Sequence, residues 1–211
     1  FFLFFSSLYL FAGLETILIP RIQYGGGGDW YTDPTSMPNL LRALNSRLGM
    51  STMPDNVAIK VSDQELFNYP MVYLTGHGNV KFDESEINRL RVYLDNGGFL
   101  WVDDCYGLDR SIRREFKKLY PESELAVLPP EHPIYHMVYD FPKGLPKIHE
   151  HDNKPPEGLG IFNKGRMVIL YTHETDIGCG IEDEGVHPDP PEIRESAMKM
   201  AINVVVYVMT Q

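Results

Sequence analysis

The chain has 211 residues, 43% of them hydrophobic and 23% charged, the balance of a folded domain with a sizeable core and not of a disordered chain. Its 19 Lys and Arg stand against 29 Asp and Glu, a formal net charge of −10, which argues against general attraction to nucleic acid or anionic lipid. Two cysteines, Cys105 and Cys179, are too few for a disulfide-stapled scaffold and lie in no C-x-x-C motif, so one disulfide or free thiols are both open readings.

Phe1 to Gly13 is an apolar run that ends in small residues. It is short for a membrane span and reads as the truncated core of an export signal or as an N-terminal anchor, the alternative being a buried first helix. On the export reading, residues 14–211 are a single periplasmic or cell-envelope domain in a compartment that permits disulfides, with membrane contact only through this segment where it is uncleaved.

Ile17 to Tyr24 contains the first strand, with Pro20 at its entry. Gly25-Gly26-Gly27-Gly28-Asp29-Trp30-Tyr31 follows. Four glycines free the backbone to approach a ligand or to turn N–H groups toward an anion. The spacing matches neither a P-loop nor a dinucleotide fingerprint, so no cofactor is identified. Gly26, Gly27, Gly28, Asp29 and Trp30 are candidate ligand contacts, the alternative being a loop that folds Trp30 and Tyr31 onto the body. Asp33-Pro34-Thr35-Ser36 opens a helix with Leu at helical spacing, stopped by Gly49.

Val57–Val61 and Met71–Thr75 read as the second and third strands, the latter ending in Gly76-His77-Gly78. A histidine between glycines at a strand's carboxyl end is a site candidate, because that edge of an α/β sheet binds ligands. Asp83 to Glu86 suits a helix N-terminus. Gly97-Gly98-Phe99-Leu100-Trp101-Val102 is a buried strand that turns abruptly polar at Asp103-Asp104-Cys105. A basic amphipathic helix, Leu108 to Tyr120, follows; its Arg110, Arg113, Arg114, Lys117 and Lys118 form a solvated face. Leu125–Leu128 is a short strand, and 129–159 an irregular excursion holding His149 and His151. Asn163-Lys164-Gly165 makes a hairpin turn between 160–162 and 166–171. Thr172-His173-Glu174-Thr175-Asp176 and the Cys179-Gly180-Ile181-Glu182-Asp183 loop lead to a final helix bearing Ala197, Met200, Ala201, Val204 and Val208. The alternation of strands and helices predicts one three-layer α/β domain, a mostly parallel sheet covered on both faces, with a late antiparallel hairpin.

The blocks Gly25–Tyr31, Pro38–Leu41, Leu74–Gly78, Gly97–Leu100 with Asp103–Cys105, Gly180–Asp183 and Met198–Val205 resemble the bacterial domain of unknown function 4159. That resemblance implies a fold similar to class I glutamine amidotransferases, a flavodoxin-like parallel sheet. Amidotransferases carry a Gly-x-Cys-x-Gly elbow and a late His-x-Glu. Here Asp103 replaces the first glycine and His173 adjoins Glu174 directly, so the resemblance implies the fold and not glutamine hydrolysis.

Three functional readings follow. The first is a ligand-binding or protein-interaction module for a small molecule, a sugar or an envelope partner. Its acidic edge combines Asp29, Asp103, Asp104, Glu182 and Asp183 with Trp30, Tyr31, Tyr106, Gly76 and His77. The second is a hydrolase with Cys105 as nucleophile, His77 or His173 as base, and the glycine loop as anion cradle. The third is a metal site formed by aspartates with His77, His149, His151 or His173. Asp103 and Asp104 also suit turn and helix-cap roles.

Overall fold

The computed structural model describes residues 16–211. The apolar run at 1–13 lies outside the described residues. β1 (Arg21–Ile22), β2 (Ala58–Ile59), β3 (Val72–Leu74), β4 (Leu100–Asp103), β5 (Ala126–Val127), β6 (Glu157–Asn163) and β7 (Arg166–His173) form a seven-stranded sheet in the order β2-β1-β3-β4-β7-β6-β5. The five strands from β2 to β7 run parallel, and β6 and β5 complete the sheet antiparallel. The parallel part has the order of flavodoxin-like doubly wound sheets, whose switch point falls between β1 and β3.

Strand alternation builds the two cores. Val72 and Leu74 of β3, Leu100 and Val102 of β4, and Ile169 and Tyr171 of β7 face α2 (Glu84–Asp95) and α3 (Asp109–Leu119). Tyr73, Trp101 and Leu170, one residue out of phase, face α1 (Ser36–Leu48) and α5 (Pro191–Thr210). A strand buried on both faces has no polar position along its length, which is why Phe99 to Val102 is continuously apolar. The predicted hairpin turn at Asn163-Lys164-Gly165 joins β6 to β7, with Lys164 and Gly165 at positive φ.

Local chemistry sets the helix ends. Asp83 and Glu86 form a reciprocal capping box at the start of α2, and Gly49 closes α1 at φ +69°. No helix among the described residues is long and apolar enough to cross a membrane.

Candidate functional site

Chain polarity brings the loops after β1, β3, β4 and β7 to one edge of the sheet. They surround a cleft of about 580 Å³. Its lining includes Asp33, His77, Cys105, Asp176 and Cys179, and four of the chain's seven histidines, at 77, 149, 151 and 187.

The glycine loop and the β3 loop close on each other. Gly28 N–H donates to the Asn79 carbonyl at 3.1 Å and Asp29 N–H to the His77 carbonyl at 3.3 Å. These two N–H groups are therefore engaged within the protein. A Cβ on Gly28 would sit 2.6 Å from the His77 carbonyl oxygen, so the close approach requires glycine. The approach also delivers Asp29 to His77. Asp29 Oδ2 lies 2.9 Å from His77 Nδ1, and Asp29 Oδ1 accepts the His77 backbone N–H. The other ring nitrogen, Nε2, lies 3.2 Å from Cys105 Sγ. Asp29, His77 and Cys105 thus form a carboxylate–imidazole–thiol relay contributed by three successive elements of the sheet edge.

Cys105 Sγ also lies 3.4 Å from Cys179 Sγ, and both thiols are free and buried. Cys179 stands on α4 (Ile177–Gly180), which Asp103 anchors by accepting Gly178 N–H at 2.6 Å. A Cβ on Gly178 would meet the Tyr73 hydroxyl at 2.3 Å, so glycine lets this turn pack against the strand ends. Cys179 in turn donates to Asp33 Oδ1 at 3.3 Å. Asp33, Cys105, Asp176 and Cys179 each present one ligand-type atom, all within 4.8 Å of one another, and all four residues are buried. Asp33 and Asp176 both sit at positive φ, 53° and 66°, strained backbone for a residue with a side chain, as functional sites often hold.

The electrostatics follow from burial. The neighbouring Cys179 draws the Cys105 thiol down, but burial and the charges of Asp176, Asp33 and Asp103 outweigh it and push the thiol up to about 11. Cys179 is raised well above the ordinary thiol range by its bond to Cys105 and by burial. Burial and the charge of Asp176 push Asp33 up to about 7. Burial also acts to raise Asp176, but hydrogen bonds from His149 and His151 prevail and hold it at about 2. His149 bridges Asp176 and Asp189 at 2.8 Å each, and the Asp176 bond is the main cause that raises it to about 9.

The other predicted residues lie around this centre. Asp103 is fully buried; it accepts from Thr172 Oγ1, whose oxygen also takes the Trp101 indole N–H at 3.0 Å. Asp104 accepts Leu108 N–H at 3.2 Å in the turn that leads into α3, whose own N-cap, Leu108, has no side-chain cap. Glu182 accepts Thr35 N–H at 2.8 Å and Asp183 accepts from Asn39 at 3.0 Å, so this loop clasps the start of α1. His173 makes its polar contacts with Glu157, Asp109 and Asp104 at 3.4 to 3.7 Å. Gly76, at φ +140°, packs under the Tyr24 hydroxyl. Gly26 lies against Asn79 with its φ at +104°, and Gly27 is open. Trp30 and Tyr31 stack edge to face, with Tyr31 exposed.

Sequence reasoning passed over Asp33 and Asp176 as centre residues. Asp33 carries a helix-start signal and Asp176 a polar-loop signal, and only the approach of two loops 143 positions apart joins them to the cysteines. A comparison with protein-family models matches the domain of unknown function (DUF4159) over residues 18–209, and the chain belongs to that family. No curated protein matches the chain.

Proposed function

We propose that this member of the DUF4159 family is a thiol-dependent acyl hydrolase, with Cys105 as nucleophile, His77 as its base and Asp29 as the group that positions the imidazole. The relay carries this reading: Sγ to Nε2 is 3.2 Å, and Nδ1 to the carboxylate is 2.9 Å. A carboxylate on Nδ1 fixes the tautomer whose Nε2 can accept a proton. In the acylation step Cys105 Sγ attacks a carbonyl carbon and its proton passes to His77 Nε2. The new C–S bond forms as the bond to the leaving group breaks, and His77 returns the proton to that group. Water then attacks the thioester with His77 again as base, releasing the acid and regenerating the thiol. The raised Cys105 pKa fits a thiol that ionises only as it reacts.

The reading is tested with 4-nitrophenyl acetate on the reduced, chelator-treated protein. A burst of one nitrophenolate per chain is expected, absent in Cys105→Ser and slowed at least tenfold in His77→Ala. A wild-type protein that shows no burst, with Cys105 alkylated as fast in His77→Ala as in wild type, overturns it.

A second reading, a cleft that binds a sugar or a flat aromatic ligand without turnover, is favoured by one observation. Tyr106 stands 51% exposed at the cleft, edge-on to His151 at 5.2 Å between ring centres, a surface suited to stacking. It predicts ligand-dependent quenching of aromatic fluorescence with no burst.

A further inference from the structure

We propose that Asp33, Cys105, Asp176 and Cys179 bind a thiophilic divalent cation of the zinc class, and that its binding switches off the Cys105 nucleophile. The second half rests on the hydrolase reading; the cation site itself does not.

Four observations carry the site. First, two sulfurs and two carboxylate oxygens converge from three segments, all four atoms within 4.8 Å of one another and all four residues buried. Tetrahedral zinc, at about 2.3 Å to sulfur and about 2.0 Å to oxygen, requires separations of about 3.3 to 3.8 Å. The observed Sγ–Sγ distance of 3.4 Å would open by about 0.4 Å, and the other separations, none above 4.8 Å, would close by at most about 1 to 1.5 Å.

Second, the carboxylates are incompletely satisfied. Asp33 Oδ2 and Asp176 Oδ1 are buried with no hydrogen-bond partner, although these residues are only 5% and 3% exposed. A buried oxygen without a partner is costly, and a cation supplies the missing partner. Third, among the described residues no Lys or Arg lines this cleft. The basic groups at its wall are histidines, and His149 and His151 are engaged by Oδ2 of Asp176, so Asp33 Oδ2 and Asp176 Oδ1 are left without a cation.

Fourth, the surroundings hold the ligands in place. Cys179 is fixed through Gly178 N–H on Asp103, and Asp176 Oδ2 is held by His149 at 2.8 Å with His151 at 3.5 Å. Such outer contacts leave Oδ1 of Asp176 free to ligate and orient it. The donor set defines the cation class. Two thiolates disfavour magnesium and calcium, which take oxygen ligands, and suit zinc or its spectroscopic substitute cobalt. Binding releases the two thiol protons, and each sulfur gives a lone pair to the metal. Cys105 then has no free thiolate for attack, so the bound and reactive states exclude each other.

The test uses the reduced, chelator-treated full chain titrated with cobalt(II) and then zinc(II). The expected result is a thiolate-to-cobalt charge-transfer band that saturates at one equivalent and is abolished by zinc. Cys179→Ser and Asp33→Asn should each weaken zinc binding at least tenfold in competition with a chromogenic chelator. Asn tolerates the positive φ of Asp33, so that variant keeps the fold. Absence of the band in folded wild type, or equal zinc affinity in all three proteins (an adventitious ion only), overturns the site. Zinc at one equivalent should also suppress the nitrophenolate burst and Cys105 alkylation. Zinc that binds at these ligands without slowing alkylation overturns the switch and leaves the site standing. A charge-transfer band in a wild type that gives no burst after chelation supports the site and counts against the hydrolase alone.

Discussion

Asp29 grips His77 twice, through the imidazole Nδ1 at 2.9 Å and through the backbone N–H, so one carboxylate sets both the ring's direction and the turn that carries it. Asp29→Asn keeps the size but offers an amide where the carboxylate accepted two protons. The Cys105 alkylation rate at neutral pH is expected to fall roughly tenfold or more, with the thermal midpoint lowered only slightly. His77→Gln should slow alkylation as much, and the double variant no further, since both act through one ring. Additive losses in the double variant would show that Asp29 acts on something else.

The positive φ of Gly76 and its packing under Tyr24 make it the hinge of the relay. A Cβ there would lie 2.2 Å from the Tyr24 hydroxyl at φ +140°. Gly76→Ala is expected to destabilise the protein by roughly 1–3 kcal/mol and to slow Cys105 alkylation by displacing His77. Gly27→Ala, with no atom within 4 Å of its added Cβ but φ at +90°, carries the backbone strain without the steric clash. Urea unfolding of both variants separates the two causes.

Asp33 gives the metal-free protein a pH-dependent stability. Its carboxyl rises from the ordinary 3.8 to about 7 on folding, so between these values the native state holds more protons than the unfolded chain. Stability therefore falls as pH rises through this window. Asp103, also pushed to about 7, acts in the same direction, while Asp176, held at about 2, adds stability that is lost only in acid. Asp33→Asn should flatten the decline between about pH 4 and 7, by up to about 4 kcal/mol across that window, in denaturant titrations with chelator present. An unchanged slope would mean that Asp33 ionises normally in the fold.

Thr172 joins Trp101 to Asp103 beneath the cysteines. Thr172→Val preserves shape but leaves the indole N–H and one Asp103 oxygen without this partner in the buried core. A loss of roughly 2–4 kcal/mol is expected, with Cys179 becoming more accessible to alkylating reagents as the anchor of α4 loosens. Chemical denaturation and cysteine mapping by mass spectrometry read both effects.

Much of this protein is legible along the chain. The continuous apolar run at Phe99–Val102, the glycine after each turn and the Asp83–Glu86 cap report local and two-faced burial, and those constraints act on residues close in sequence. They determine the strands, the helices, the parallel sheet with its late hairpin, and the edge where polar loops gather. They also single out Cys105, His77 and Asp29 as separate candidates. The tertiary structure alone decided the pairings. β3 and β7 both flank β4, and His77 rather than His173 reaches Cys105 because Asp29 of the glycine loop holds the His77 ring there while His173 sits among Asp104, Asp109 and Glu157. Glu182 and Asp183, acidic on paper, hold the start of α1. Asp33 meets Cys179 across 146 positions because Gly178 lets a four-residue turn press against Tyr73. Sequence patterns record which face a residue buries, but not which distant carboxylate it meets there, because that meeting depends on loop closures of a few ångströms that no local periodicity encodes.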